Sequence, residues 1–231
     1  MGFLFLLGGT TTGWAEPDIY LDQTAFENAL AAMGYLAIHE GFENDTVWSS
    51  TRTTGVTSVN HHGITWSANN STSKIRTGSG AARTGDWGVF SIPHGSYTAP
   101  ETGANCLVPG ECGDGWRGAS TNGQLVAIGG WISTNTPNAS IALYLGNFPE
   151  NPQDFGETCD PPESENCFSN SVVTTTVQFW GVIEATGFSN FEFREMEGKT
   201  EIEGGDLKYI FADDFWFAFA NSDLIFGDGF E

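Results

Sequence analysis

Basic residues are what this chain has least of. Lys and Arg together number 8 against 29 Asp plus Glu, a formal net charge of −21 over 231 residues. That balance excludes nucleic acid and anionic membrane surfaces as partners, because holding phosphate takes clustered cations. Long apolar runs are also missing. Neither Phe3-Leu-Phe-Leu-Leu7 nor Phe215-Trp-Phe-Ala-Phe-Ala220 is nearly long enough to span a bilayer. No Gly-x-Ser-x-Gly elbow and no His-Glu-x-x-His helix is present, which removes two common hydrolase designs. There is no internal repeat and no domain-sized linker. Cysteine is scarce too, with 4 residues in two local pairs, Cys106/Cys112 and Cys159/Cys167. In an exported chain such pairs read as two disulfide loops, each contributing roughly 2–3 kcal/mol, although cross-pairing stays open. Zinc is the rival, but the spacing does not suit Cys-x-x-Cys ligation and no His lies beside either pair.

Glycine and aromatic residues are plentiful, with 30 Gly, 18 Phe and 8 Trp. Residues 1–15 read as a secretory signal: an apolar core, then small residues in Gly13-Trp-Ala15 before a cut, with the usual basic n-region missing as in a start truncated upstream. The mature chain then begins near Glu16 and is secreted, to the extracellular space or the cell surface. Asp22 to Gly34 reads as the single helix. Thr24 and Glu27 resemble a capping box, and Phe26, Leu30 and Met33 share a face. Leu36 to Glu43, Gly63 to Ser67 and Trp87 to Ile92 read as strands. Gln124–Ile132, Ser140–Leu145, Val172–Ile183, Phe188–Phe193 and Leu207–Phe219 extend the series. Thr46–Asn60, Ala68–Asp86, Pro93–Gly123 and Asn147–Asn170 read as loops, the first with a weak strand. Many strands and one short N-terminal helix predict an all-β fold: an antiparallel β-sandwich, or jelly roll, over residues 16–220 with a tail at 221–231.

The last strand poses the sharpest problem. Strict alternation puts Leu207, Tyr209, Phe211, Asp213, Phe215, Phe217 and Phe219 on one face, and Asp214 and Trp216 on the other. A carboxylate in the middle of a core face costs several kcal/mol unless it is hydrogen-bonded, paired, protonated or bound to a metal. The alternatives are an ion at Asp213 or a β-bulge that re-aims it.

Several segments fall in a recurring order: Gly41-Phe-Glu43, Gly63-Ile-Thr-Trp66, Val126-Ala-Ile-Gly-Gly-Trp131, Phe179-Trp-Gly-Val182 with Phe188, and Ala212-Asp-Asp-Phe215. Over about Ile19 to Phe219 the chain resembles the jelly-roll domain of bacterial secreted proteins of the PEP-CTERM type. That architecture is similar to galactose-binding-like and carbohydrate-binding-module sandwiches. The resemblance implies a structural Ca²⁺ where an early Phe-Glu meets a late Asp-Asp strand, which implicates Glu43 and Asp213 or Asp214, and Asp45, two residues beyond Glu43, is a further candidate ligand. Six to eight oxygens would be needed, with backbone carbonyls completing the set. The C-terminus departs from that type, lacking its Pro-Glu-Pro motif, membrane helix and Arg cluster. Ile225-Phe-Gly-Asp-Gly-Phe-Glu231 instead resembles a short terminal motif of exported gammaproteobacterial proteins.

Trp48 and Trp116 lie in polar segments and are the candidates for an exposed glycan platform, since flat rings stack on the apolar faces of sugars. Trp66 and Trp131 read as core. His61-His62 read as solvated. Phe191-Glu-Phe-Arg-Glu-Met-Glu197 is the only carboxylate cluster suited to a glycosidase. Alternation sets Glu192 opposite Glu195 and Glu197, so a polysaccharide hydrolase is the weakest reading. A structural or adhesive protein that self-assembles by strand addition is a further class, with Leu224-Ile-Phe226 as donor segment. The expectation is therefore a secreted, non-catalytic, calcium-stabilised module that binds extracellular glycan or a matrix component.

Overall fold

A computed structural model describes residues 18–69, 73–92, 115–134, 141–147, 151–158, 167–168, 178–195 and 209–220. The expected signal (1–15), tail (221–231) and Cys106, Cys112 and Cys159 lie outside these residues. Cys167 falls in a strand, but its pairing also lies outside them.

The chain opens with β1 (Asp18–Tyr20), α1 (Gln23–Ala32), β2 (Ile38–Glu40) and α2 (Asp45–Thr53). Next come β3 (Ser58–His61), β4 (Ile64–Ala68), β5 (Ile75–Gly78), a 3-10 turn (Ser79–Ala81), β6 (Gly88–Ser91) and β7 (Gly115–Ser120). The rest are β8 (Leu125–Thr134), β9 (Ile141–Asn147), β10 (Asn151–Thr158), β11 (Cys167–Phe168), β12 (Gln178–Phe188), β13 (Asn190–Glu195) and β14 (Ile210–Phe219). They form two 7-stranded sheets. Sheet A runs β1-β12-β8-β14-β6-β5, with β2 also pairing β14, and sheet B runs β11-β10-β9-β13-β7-β4-β3. Every pairing is antiparallel except β10 with β11. The expected all-β sandwich is present. No helix among the described residues is long and apolar enough to cross a membrane.

The core between the sheets is aromatic. Trp66 sits at its centre, fully buried and within 6.4 Å of the rings of Phe42, Trp48, Trp116, Phe191, Phe215 and Phe217. α1 covers part of the outer face of sheet A. Phe26 and Leu30, one turn apart, pack on Val126, Ala127, Phe179, Ile183 and Ala218. The helix can approach because Gly129 and Gly181 lack side chains, and a Cβ on Gly181 would lie 2.8 Å from the Phe26 ring. Its N-cap is Asp22, whose Oδ1 accepts from Ala25 N at 2.8 Å. The cap thus precedes the expected Thr24 box, because Asp22 is the residue in extended conformation (φ −127°, ψ 123°).

Several segments expected as loops are regular. Trp48 lies in a second helix, α2, capped by Asn44 Oδ1 on Thr46 N at 3.0 Å and braced by Asp45 and Arg52 at opposite ends. Thr and Ser are poor helix formers and hid it. Its cap, its end charges and the burial of Trp48 and Thr51 outweigh propensity. β3, β5, β7 and β10 also fall partly or wholly in stretches expected as loops.

Phe26 is fully buried, with the rings of Tyr20 and Phe179 5.7 and 5.6 Å away. Phe26→Ala should lower stability by about 3–5 kcal/mol in urea unfolding, because the helix fills its hollow through this one ring.

Candidate functional site

β14 does not alternate strictly. Its register on β8 shifts between Asp213 and Trp216, and Asp214 takes φ 48°. This is the bulge alternative. Ile210 and Ala212 face the core before it, and Phe215, Phe217 and Phe219 after it. Tyr209 and Phe211 are therefore turned outward, opposite to the face that alternation assigns them. The bulge also explains how a buried Asp213 is tolerated. Its Oδ2 accepts from Arg83 N (2.7 Å) and Thr84 N (3.0 Å), and its Oδ1 accepts from Asp214 N (2.7 Å). Asp214 takes the Thr84 hydroxyl at 2.9 Å, Arg83 Nη1 at 3.1 Å and His39 Nε2 at 3.0 Å.

Glu43 holds the other end of the same loop, its Oε1 accepting from Asp86 N (2.9 Å) and Trp87 N (2.8 Å). Asp45 pairs with Arg52 at 3.0 Å and is largely exposed. The structure does not gather Glu43, Asp45, Asp213 and Asp214 around one cation position. Backbone N–H groups point their positive ends at the oxygens that a calcium ion would need. Gly85 lies in this loop at φ +63°, and a Cβ there would meet Glu43 Oε1 at 2.4 Å.

Trp48 and Trp116 are both 0% exposed, so neither forms a sugar platform. Polar neighbours misled the reading: they occupy the other face of α2 and of β7, while these two rings turn into the core. Among the described residues, the indole nitrogens of Trp48, Trp66 and Trp116 find no hydrogen-bond partner, which costs about 1–3 kcal/mol each. Burial of roughly 150–250 Å² per indole, at about 25 cal/mol/Å², offsets that with roughly 4–6 kcal/mol. Glu192 is buried on sheet B opposite to Phe191 and Phe193, with Asn69 Nδ2 3.2 Å from its Oε1. The side chains of Glu195 and Glu197 lie outside the described residues.

The partly exposed aromatics are elsewhere. On the outer face of sheet A beyond α1, Tyr209 and Phe211 lie parallel, with an interplanar angle of 0° and centroids 5.6 Å apart. Phe90, paired with Phe211 across β6 and β14, stands 5.8 Å from both rings. Arg76 on β5 is the next cross-strand neighbour, its guanidinium carbon 5.9 Å from the Phe90 centroid. All four are half-buried. Ser133 pairs Phe211 from β8, and Trp131 follows with Arg83 over its ring at 3.7 Å. Period-two reading missed the strip because the bulge inverts it.

A second constellation was also missed. Glu40, buried at 2%, accepts from Phe42 N at 2.7 Å and makes a short contact from Oε2 to His61 Nδ1. His62 lies beside His61, with ring centroids 3.8 Å apart. Far from being fully solvated, His61 keeps only 15% of its side-chain surface. Among the described residues, Glu40, His61 and His62 are the only group of three or more His, Cys, Asp or Glu close enough to share an ion.

No protein-family model matches the chain, and no curated protein matches it. Among solved structures it is similar to the CBM22-1 xylan-binding domain from Paenibacillus barcinonensis Xyn10C, at 12% identity and TM-score 0.41, over 80% of this chain and 94% of that one. It is also similar to the CBM22-1-GH10 modules of the Clostridium thermocellum xylanase Xyn10B complexed with xylohexaose, at 12% identity and TM-score 0.43, over 80% and 28% of the two chains. A third is a CBM29-2 mutant complexed with cellulohexaose, at 8% identity and TM-score 0.40, over 83% and 98%. These likenesses are distant, and the sandwich is established by its own strand pairing.

Two outcomes test the hydrogen bonds by which Asp213 and Glu43 hold the loop from Arg83 to Trp87. Gly85→Ala should cost about 1–3 kcal/mol in chemical unfolding, because it strains a positive φ and strikes Glu43, while added Ca²⁺ should leave the wild-type melt unchanged. Burial pushes the Asp213 carboxyl up to about 6, against the opposing pull of the Thr84, Arg83 and Asp214 N–H groups, with the Asp214 charge adding to the rise. A raised carboxyl binds protons more tightly in the folded chain, so its stabilising contribution is complete below pH 4 and is lost as pH rises through about 6. The stability gap between wild type and Asp213→Asn should narrow by up to roughly 3 kcal/mol from pH 4 to pH 7, read by unfolding at both.

Proposed function

We propose that the chain is an exported, non-catalytic module that binds an uncharged extracellular polysaccharide on the open half of sheet A. The observation that carries this reading is the half-exposed strip of Tyr209, Phe211 and Phe90 with Arg76 beside it. Parallel rings at Tyr209 and Phe211, with Phe90 tilted against both, present an apolar strip of ring faces and edges on one side of the sheet. The axial C–H groups of a pyranose lie against such a surface, their partial positive charge meeting the negative ring face. Arg76 and Ser133 stand at the border as donors to hydroxyl groups, the few oriented polar groups that set orientation in a sugar site. The strip is rigid, since it sits on three paired strands rather than on loops. An overall charge of −21 repels anionic polymers, which favours neutral glycans.

The test is affinity electrophoresis and calorimetry of the full chain against neutral polysaccharides, with an anionic polysaccharide as control. Phe211→Ala and Tyr209→Ala should each weaken binding by about tenfold or more, corresponding to 1–2 kcal/mol per lost ring. Trp116→Phe, in the core, should leave affinity intact. Retention of binding in a Phe90→Ala/Phe211→Ala double variant would place the ligand on another surface. Turnover of the polymer by the pure chain would replace this reading with a hydrolase.

A further inference from the structure

We infer that Glu40, His61 and His62 form a binding site for a first-row divalent transition metal of the zinc type, joining the open edge of one sheet to the other. The site is independent of the aromatic strip.

Two unrelated pieces of chain build it. β2 ends at Glu40, which pairs Phe215 on β14 just past the bulge. Its carboxylate turns inward and is 2% exposed. His61 ends β3, the outermost strand of sheet B, and pairs Ile64 across a two-residue turn made of His62 and Gly63. Both turn residues have positive φ, 51° and 76°, as a tight hairpin of this length requires. That conformation brings the His62 ring against His61, so the hairpin presents two imidazoles at adjacent positions toward one buried carboxylate. One ligand atom from each of the three residues falls within 4.8 Å of the other two. A metal with bonds of about 2.0–2.2 Å to N and O would draw them together by a small movement, leaving a fourth position for water.

The donor set selects the metal. Two imidazole nitrogens with one carboxylate oxygen suit zinc and its neighbours, whereas calcium wants six to eight oxygens. The simpler alternative is a Glu40–His61 ion pair that needs no ion. It accounts for His61, but it gives His62 no part, although the turn packs the second ring 3.8 Å from the first.

The deciding experiment is calorimetry of the chelator-treated full chain with Zn²⁺, and separately with Ca²⁺, on wild type, His62→Asn and Glu40→Gln. His62→Asn is the informative variant. Asn before Gly is a favoured pair for this turn, so the hairpin keeps its shape while the imidazole is removed. Expected is one Zn²⁺ per chain, Zn²⁺ affinity reduced roughly tenfold or more in both variants, and no response to Ca²⁺. His62→Asn should also abolish the rise in melting temperature that Zn²⁺ gives wild type, whether or not Glu40→Gln folds. Absence of Zn²⁺ binding by wild type, or Zn²⁺ binding undiminished in His62→Asn, overturns the site and leaves the ion pair. Neither result bears on glycan binding by the strip.

Discussion

The buried carboxylate pair at Asp213 and Asp214 is the constraint on which the rest is hung. One extra residue in β14 relative to β8 breaks the alternation, and every side chain before the break changes face. Without it, Tyr209 and Phe211 would enter the core, and Ile210 and Ala212 would face outward. Asp213 supplies what the bulge needs. Its two oxygens collect three backbone N–H groups, from Arg83, Thr84 and Asp214, that would otherwise lack partners. Asp214 then reaches His39 on β2. The aromatic strip lies on one side of the bulge. The strand carrying Glu40 lies on the other. One local irregularity therefore positions both surfaces.

Much of this was legible in the sequence, and the failures share a cause. Strands β8, β9, β12, β13 and β14 were readable because their Val, Ile, Phe and Trp are dense and their turns marked, whereas β10 and β11 fall in a stretch poor in such residues. The tension at Asp213 was readable as well, since an acid amid Phe residues contradicts any simple strand. What alternation cannot supply is the position of a bulge, because the extra residue is defined by the partner strand β8. Trp48 and Trp116 failed for a related reason. Polar neighbours signal exposure only when they share a face, and Thr46, Ser49 and Arg117 do not share one with the rings beside them. α2 escaped because Thr and Ser weigh against a helix locally, whereas the gain from burying Trp48 arises between elements.

The Glu40–His61–His62 group shows a different limit. Its members are 21 and 22 positions apart along the chain, so no local pattern joins them. Two signals were nonetheless available. Glu40 ends a strand whose Ile38 faces inward, which puts Glu40 on the inward side as well. His62-Gly63 between Ser58–His61 and Ile64–Ala68 is a two-residue hairpin turn, which fixes where two imidazoles must lie. Joining the signals requires knowing that β2 in sheet A faces β3 in sheet B, and only the packed sandwich provides that.

The scarcity of basic residues gains its meaning from where they stand. Of the 8 in the chain, Arg52 on α2, Arg76 on β5 and Arg83 in the loop before β6 each rest on an aromatic ring: Trp87 at 4.2 Å, Phe90 at 5.9 Å and Trp131 at 3.7 Å. Each also makes a polar contact that a lysine could reproduce only in part. Arg52 bridges Asp45 and the Phe42 carbonyl, Arg76 reaches the carbonyl oxygens that end α2, and Arg83 meets Asp214. A planar guanidinium can lie on a ring and donate from its edge at once, whereas an ammonium is a hydrated point charge. These arginines therefore fix the orientation of rings at the border of the strip while offsetting the carboxylates that hold the 82–87 loop. In a chain of such negative charge, three of the few cations thus serve to order aromatic rings beside the strip.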